Sequence, residues 1–573
     1  MTKKDVAKVL NEIGTMMELQ GENPFKARAY YNGARTIETL TEDITDLVEN
    51  GEIGDVKGIG EALSQKITEL VQTGKLEYYE KLKSEIPEGL FKILEIPGLG
   101  PKKVKKIWNE LEITKVGELE YACQENRLVD LEGFGAKTQE KILDGIKFIK
   151  KYQERWLIDE VMEAAEPLIK FVKGHDKVIR AELAGSLRRH RETVKDADIV
   201  ASCAERDRKQ IMREFTELES VDTIIGSGET KTSVRLESGI NADLRLVSDE
   251  QFPYALHHFT GSKEHNTAMR SLAKSMDMKM NEYGLFRNED ELVECADESE
   301  IFEALGLSSI PPELRENTGE IEFAKENEFP ALVAEDDIRG MIHVHTHYSD
   351  GVPSVKEWVE ACIDQGYEYL GITDHSQTAF YANGLKPERL KKQWEEIAKV
   401  QEEFPGFTIF RGIESDILPD GSLDYEDDIL EQFDFVIASV HSTFNLTREK
   451  QTERLIKAVE NKYTTILGHP TGRLLLARDE YDVDLPAVIE AAGEAGTAIE
   501  INANPRRLDL DWRLGKLARE HGIKTSINPD AHSIDGMSHV RYGVGIARKG
   551  WFTKEDVINA WDVEQVREFF EKK

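Results

Sequence analysis

Two groups of side chains in this sequence have the types and spacing of metal-assisted phosphoryl chemistry. The first is Asp196-Ala197-Asp198, where alternation along an extended chain turns both carboxylates to one face, together with Asp243 in the apolar run Ala242-Asp243-Leu244-Arg245-Leu246-Val247. Three acids gathered at one sheet edge repel one another unless divalent cations neutralise them, and hard oxygen donors suit Mg²⁺ or Mn²⁺. Two such ions can clamp an in-line displacement at phosphorus. Upstream, Gly185-Ser186-Leu187-Arg188-Arg189 offers close-approaching backbone, a hydroxyl and guanidinium charge to phosphate oxygens. A lone DxD is usually a surface pair. The order Gly-Ser, DxD, third Asp reads as the parts of nucleotidyl transfer.

The second group is His343, His345, Asp350, His375, Glu414, His441, His469, Asp530 and His532. Six imidazoles and three carboxylates exceed what one tetrahedral ion needs, so two or three cations are expected. Donors without thiolate suit Zn²⁺, Mn²⁺ or Fe²⁺. A single buried histidine is ordinarily a satisfied core residue, whereas nine candidates at corresponding places are not.

The elements that must position these groups are legible from periodicity. Beyond Arg339 a strand-then-helix rhythm repeats about seven times, with apolar runs ending at His343, Asp374, Glu414, His441, His469, Asn502 and Asp530. Parallel strands of a β/α barrel deliver their C-terminal residues to one face, so ligands distant in sequence can converge there. Apolar runs at 178–184, 196–202 and 240–247, with helical stretches between them, predict an α/β or α+β region reaching about residue 310. Pro311-Pro312 and the acidic stretch to Asp337 read as a linker. Residues 1 to about 150 read as helices interrupted three times by one pattern: Val56-Lys57-Gly58-Ile59-Gly60, Ile96-Pro97-Gly98-Leu99-Gly100 and Leu131-Glu132-Gly133-Phe134-Gly135. Free N–H groups at the helix start after each turn can meet a phosphate, and Lys102, Lys103, Lys105 and Lys106 follow the second copy.

At 573 residues the chain holds three or more domains. Its 74 Lys plus Arg against 109 Asp plus Glu, a net charge of −35, mean that any polyanion must bind at a local basic patch. This acidity fits either a salty cytoplasm or an ordinary acidic surface. Four dispersed cysteines without a CxxC pair exclude a disulfide framework and a thiolate zinc site. No apolar signal core or long apolar run is present, so a cytoplasmic protein with no membrane partner is expected.

The three turns resemble helix-hairpin-helix motifs, which grip DNA backbone without reading bases. With Gly228-Glu229-Thr230-Lys231, His258-Phe259-Thr260-Gly261-Ser262, Asn266 and Asn281-Glu282-Tyr283, the aspartate set resembles the family X DNA polymerases, of which DNA polymerase beta is the familiar member. That resemblance covers residues 1 to about 310. It implies metal binding and catalysis by Asp196, Asp198 and Asp243, with Asp243 helping to deprotonate the primer 3′-hydroxyl. It also implies nucleotide binding by Gly185, Ser186, Arg189, His258, Phe259, Gly261 and Asn266. DNA contacts would come from Gly58, Gly60, Gly98, Gly100, Lys102, Lys103, Gly133, Gly135 and Lys231. DNA polymerase beta has Tyr where this chain has His258, and Arg where it has Asn241. Lys66 would occupy the Schiff-base position of a 5′-deoxyribose-phosphate lyase, with Lys26 beside a 5′-phosphate. Tyr31, Asn32 and Tyr78 replace other basic residues of that pocket, and a solvated helix lysine is the competing reading.

The histidine-rich region resembles the PHP (polymerase and histidinol phosphatase) domain, over about 338–573, with all nine metal-ligand positions occupied. The implied architecture is multidomain: an all-α helix-hairpin-helix region, an α/β nucleotidyltransferase palm with an α+β thumb-type subdomain, and a distorted (βα)7 barrel. The expected boundaries are a lyase-like helical domain at 1–85 and a second helical DNA-binding domain at 86–150. A palm at 151–252, a nucleotide-selection subdomain at 253–315, a linker at 316–337 and the PHP domain at 338–573 follow. The resemblance implies gap filling from dNTPs on gapped or primed DNA in base excision repair, with 3′-to-5′ exonuclease action and cleavage at abasic sites, by a monomeric chain. The competing readings are a DNA-binding scaffold with a vestigial polymerase site and a small-molecule phosphatase of the histidinol-phosphatase type.

Overall fold

Glycine sets the helix boundaries of residues 1–149, the first of two units in the chain; the second is 150–573. The structure, a computed structural model, describes residues 2–38, 40, 42–129, 131–150, 154–288 and 290–572. In the first unit, helices α1 (Glu61–Thr73), α2 (Pro101–Leu111) and α3 (Ala136–Lys150) each follow one Gly-x-Gly turn. The first glycine of each turn has positive φ: 101° at Gly58, 86° at Gly98 and 87° at Gly133. A side chain in that conformation costs about 1–2 kcal/mol. The second glycine is extended, and Gly60 and Gly100 cap the helices that follow. A Cβ at Gly60, Gly98, Gly100, Gly133 or Gly135 would meet nothing of the protein within 4 Å. The missing side chains therefore leave room for an outside group, and a core of Leu10, Ile13, Met16, Ile67, Leu90, Val104, Ile107 and Ile142 fixes the helices behind the turns.

The second unit starts with α4 (Ile158–Gly174), packed on a five-stranded sheet of β1 (Val178–Leu183), β2 (Asp196–Cys203), β3 (Val221–Ser227), β4 (Lys231–Leu236) and β5 (Asn241–Val247). The order is β1-β2-β5-β4-β3, with β2 and β5 parallel and the other pairs antiparallel. The short helix α5 (Gly185–Arg188) lies between β1 and β2. Helices α6 (Phe252–Thr260) and α7 (Lys263–Ser275) lead into an antiparallel meander of β6 (Met278–Asn281), β7 (Gly284–Arg287) and β8 (Glu291–Leu292).

The stretch 316–337, expected as a linker, is built into the fold. It carries helix α8 (Glu320–Glu326) with Glu320, Ile321 and Ala324 buried, and Val333 N–H donates to the Phe552 carbonyl at 3.0 Å. Its acids dominate the composition and hide the apolar i, i+3 pair that docks the helix.

The barrel strands are β9 (Gly340–Val344), β10 (Tyr369–Ile372), β11 (Thr408–Asp416), β12 (Phe435–Ser439), β13 (Ile466–Leu467), β14 (Ala498–Asn502) and β15 (Thr525–Asn528). Each pairs in parallel with the next in sequence. The first and last strands meet through a parallel bridge between Val344 and Ala531, where His345 N–H donates to the Ala531 carbonyl at 2.9 Å. This nearly closed seven-stranded barrel is the distorted (βα)7 form expected. Helix α9 (Val540–Lys549) follows the last strand and packs against it. Among the described residues no helix is long and apolar enough to cross a membrane.

Candidate active sites

The register of the palm sheet sets Asp198 of β2 directly beside Asp243 of β5, while alternation along β2 brings Asp196 to the same face. Burial, then the charges of Asp196 and Asp243, push the Asp198 carboxyl up to about 7. Burial and Asp243 raise Asp196 as well. Carboxylates so disposed to keep a proton call for a cation of higher charge, which fits the hard divalent ions expected here. Lys231 Nζ lies 2.6 Å from Asp243 Oδ2, so this lysine, expected at DNA, neutralises the third carboxylate. Arg245 stacks over the Phe259 ring at 4.0 Å and stands 3.9 Å from Asp243.

Gly185 has φ 64°, and a Cβ there would fall 2.4 Å from Asp198 Oδ2, so the turn before α5 requires glycine to pass this close to the acid. Ser186 lies in α5, on the same turn. Arg189, expected at a triphosphate, is engaged within the protein: Nε is 3.0 Å from Glu316 Oε1 and Nη1 is 2.7 Å from the Thr260 carbonyl. Arg188 pairs with Glu298 at 2.6 Å. At the end of α6, His258 is half-buried and its ring meets Phe259 edge-on at 5.0 Å. Asn266 Nδ2 donates to the carbonyls of His258 (2.7 Å) and Gly261 (3.2 Å), tying the expected gate residues together.

The barrel mouth gathers all nine expected ligands. Glu414, at the end of β11, is the hub: its oxygens lie 3.4 Å from His343 Nε2, 3.7 Å from His345 Nε2, 2.9 Å from His375 Nδ1, 3.1 Å from His441 Nε2 and 3.0 Å from His469 Nε2. Asp530 Oδ1 is 3.1 Å from His345 Nε2 and 3.4 Å from His343 Nε2. Asp350 closes the other side, 3.2 Å from His532 Nε2 and 3.6 Å from His375 Nε2. The described residues contain three groups whose potential ligand atoms lie within 4.8 Å of one another, and all three are here: His345, Asp350, His375 and His532; His343, His345 and Asp530; His375, Glu414 and His441.

The chemistry of this pocket fits bound metal. His343 Nε2, His345 Nδ1, both ring nitrogens of His375, Glu414 Oε2 and His469 Nδ1 are buried and make no well-aligned hydrogen bond, although His375 Nδ1 comes within 2.9 Å of Glu414 Oε2. So many orphaned lone pairs in one cavity would be costly in a metal-free core. Burial, with His532 and His375 nearby, lowers His345 to about 3, and burial with Arg507 lowers His469 to about 4, so both rings are neutral donors near pH 7. Burial alone would raise Glu414, but His441, His343 and His375 outweigh it and hold the carboxyl well below the usual range. Three of the expected ligands sit at positive φ: His343 (64°), His469 (24°) and Asp530 (51°). At His343 the strand register also shifts between Ile342 and Val344. Such local departures re-aim side chains and concentrate at functional sites.

In the helical unit Lys66 Nζ lies 4.8 Å over the Tyr78 ring, and Tyr30 stacks on Tyr78 with ring centroids 6.4 Å apart. Lys26 is exposed and paired with Glu22 at 3.6 Å. The surroundings of Lys66 are thus aromatic more than cationic.

Family models match four stretches of the chain. Residues 1–76 match the helix-hairpin-helix domain, 91–147 the SAM-like helix-hairpin-helix tandem, 255–316 the DNA polymerase beta thumb and 342–504 the PHP domain. The DNA polymerase/3′-5′ exonuclease PolX of Bacillus subtilis (strain 168) is 41% identical over 575 residues, spanning 100% of both chains. The chain belongs to the family X DNA polymerases with a C-terminal PHP domain. The chain is also similar to a probable phosphatase of Thermoanaerobacter sp. (strain X514), 28% identical across 40% of this chain and 94% of that protein. A probable phosphatase of Shewanella sediminis is 26% identical across 38% and 87%.

Two acids of this family X chain escaped the sequence reading. Glu500, in the middle of β14, accepts from the His469 backbone N–H at 2.8 Å and lies 2.5 Å from His343 Nδ1. Asp416 lies 2.6 Å from His441 Nδ1. Carboxylates on the far nitrogens of ligand imidazoles fix ring orientation and raise basicity. The available signal was an acid inside the apolar run Ala498-Ile499-Glu500-Ile501, which a buried strand tolerates only with a partner.

Proposed function

We propose that the palm extends DNA primers by nucleotidyl transfer from dNTPs and fills short gaps in repair, while the barrel removes nucleotides from 3′ ends and opens abasic sites. What carries the reading is the presence, in one chain, of two separate clusters suited to divalent cations, one of aspartates on a five-stranded sheet and one of mainly imidazoles in a barrel mouth. In the palm, Asp196, Asp198 and Asp243 would hold Mg²⁺ or Mn²⁺, which when bound supplies charge neutralisation at the phosphates. Asp243 accepts the proton of the primer 3′-hydroxyl after Lys231 lets go of it. Ser186 and Arg189 orient the triphosphate, and His258, Phe259, Gly261 and Asn266 form the sugar and base gate. In the barrel, His343, His345, Asp350, His375, Glu414, His441, His469, Asp530 and His532 would hold two or three Zn²⁺, Mn²⁺ or Fe²⁺ ions, which polarise a phosphodiester and activate water.

The hairpins would bind duplex backbone through Gly58, Gly60, Gly98, Gly100, Lys102, Lys103, Gly133 and Gly135, so one working chain on DNA in the cytoplasm suffices. Gly98→Ala with Gly133→Ala should weaken binding to gapped duplex about tenfold or more, because each methyl stands where a phosphate would approach. The same pair should not change the extension rate at saturating DNA; fluorescence anisotropy and single-turnover extension measure the two effects. Glu500→Gln should slow 3′-end hydrolysis about 10- to 100-fold by releasing the His343 ring, without changing primer extension.

The decisive experiment follows one-nucleotide-gapped and abasic duplexes, with and without dNTPs, across Mg²⁺ and Mn²⁺. Insertion that requires dNTP and shortening that does not are the expected pair. Absence of insertion would favour a scaffold, and faster turnover of histidinol phosphate than of a 3′ end would favour a small-molecule phosphatase. Borohydride trapping on 5′-incised abasic DNA tests Lys66: a lyase gives an adduct that Lys66→Ala loses.

A further inference from the structure

The turn that follows α5 is held from the barrel. Lys549, the last residue of α9, is only 2% exposed. Its Nζ donates to the backbone oxygens of Arg189 (3.0 Å) and Glu313 (3.1 Å) and to Glu316 Oε1 (2.8 Å). These three bonds use every donor of an ammonium. The same Glu316 oxygen accepts from Arg189 Nε at 3.0 Å. A barrel ammonium and a palm guanidinium therefore share one buried carboxylate. Arg191 Nη1 is more distant, 3.7 Å from Glu316 Oε2. Other barrel groups grip the rest of the turn: Trp512 Nε1 and Arg513 Nη1 lie 2.9 and 3.0 Å from Glu192 Oε1. The His190 ring lies so close to Gly545 that a Cβ there would come within 2.2 Å of Nδ1.

A buried carboxylate that loses its cation is strongly penalised. Arg189 can therefore turn its charge toward a triphosphate only if Glu316 keeps another cation, and Lys549 is placed to remain on it. We propose that Lys549 is a positioning residue for the polymerase reaction, in which a barrel ammonium holds Glu316 so that Arg189 is released to the triphosphate of an incoming nucleotide. This rests on the reading of the palm as a nucleotide site. It gives the barrel a part in synthesis that is separate from its own metal pocket.

The test is single-nucleotide insertion into gapped DNA by the full chain, with kcat and KM for dNTP measured separately, alongside 3′-end hydrolysis without dNTP. Lys549→Met should raise KM about tenfold or more with kcat within about threefold and hydrolysis unchanged. Adding Glu316→Gln should return KM to within about threefold of the parent, since no carboxylate is left to retain Arg189. An unchanged KM in Lys549→Met overturns the proposal. So does a KM that the double variant fails to restore, or a parallel loss of kcat and hydrolysis, which marks a merely structural role. If Lys549→Met does not fold, Lys549→Gln takes its place under the same criteria, because its amide can still hydrogen-bond while the charge is gone. Arg189→Ala must raise KM by itself. If it does not, the nucleotide reading of the palm fails, whatever Lys549 does.

Discussion

Asp243→Ala is expected to reduce primer extension by at least about 10³-fold and to leave 3′-end shortening at the parental rate. The size follows from position. Asp243 lies next to Asp198 across a parallel strand pair, and the carboxyl of Asp198 is already pushed up to about 7 by burial and its acidic neighbours. On the proposed reading, removing Asp243 would take away a metal ligand and the acceptor for the primer proton at once. It also frees Lys231, whose ammonium sits 2.6 Å away, to face the remaining acids and compete with a cation. Asp243→Asn would keep the shape without the charge and should be nearly as inactive, which separates electrostatics from packing. Extension on a gapped primer and shortening of the same labelled strand without dNTP are read from one gel. Loss of both activities in Asp243→Ala would refute two independent centres.

The candidate barrel ligands were legible in the sequence because parallel strands turn chain order into a common face: apolar runs ending in His343, Glu414, His441 and His469 needed only the barrel grammar to be brought together. Alternation did the same for Asp196 and Asp198, although only the register of β2 on β5 sets Asp243 beside them. The first glycine of each hairpin turn was readable because positive φ restricts residue choice so strongly. What escaped the reading was decided by partners far along the chain. Glu500 was not singled out in the sequence, because its partner His343 lies 157 residues away. Arg189 carried its family's expected role, but its engagement with Glu316, 127 residues on, had no local signature. The linker expected at 316–337 failed for a related reason. An acid-rich segment resembles a solvated tether until Glu320 is seen to be buried, with one oxygen 2.7 Å from His265 Nδ1.

Glu414→Ala is the mirror of the Asp243 prediction: 3′-end hydrolysis should fall by at least about 10³-fold while gap filling continues. Of the nine candidate ligands Glu414 has the most neighbours in the site, since five imidazoles stand within 3.7 Å of its two oxygens. Its negative charge lets those rings approach one another in a buried cavity and would offset part of the repulsion between any cations bound there. Without it, metal content measured on the purified chain should drop. The loss should exceed that in His441→Ala, where one donor goes and the hub stays. His441 is raised to about 9, because Glu414 and Asp416 outweigh its burial, so this ring must shed a proton to bind a cation. Metal loading should therefore weaken as pH falls, and Glu414→Ala, which removes the largest attraction on that proton, should weaken the pH dependence along with the affinity. Hydrolysis that survives Glu414→Ala at the parental rate would show that the barrel mouth is not the nuclease, and the 3′-shortening activity would then have to be sought in the palm.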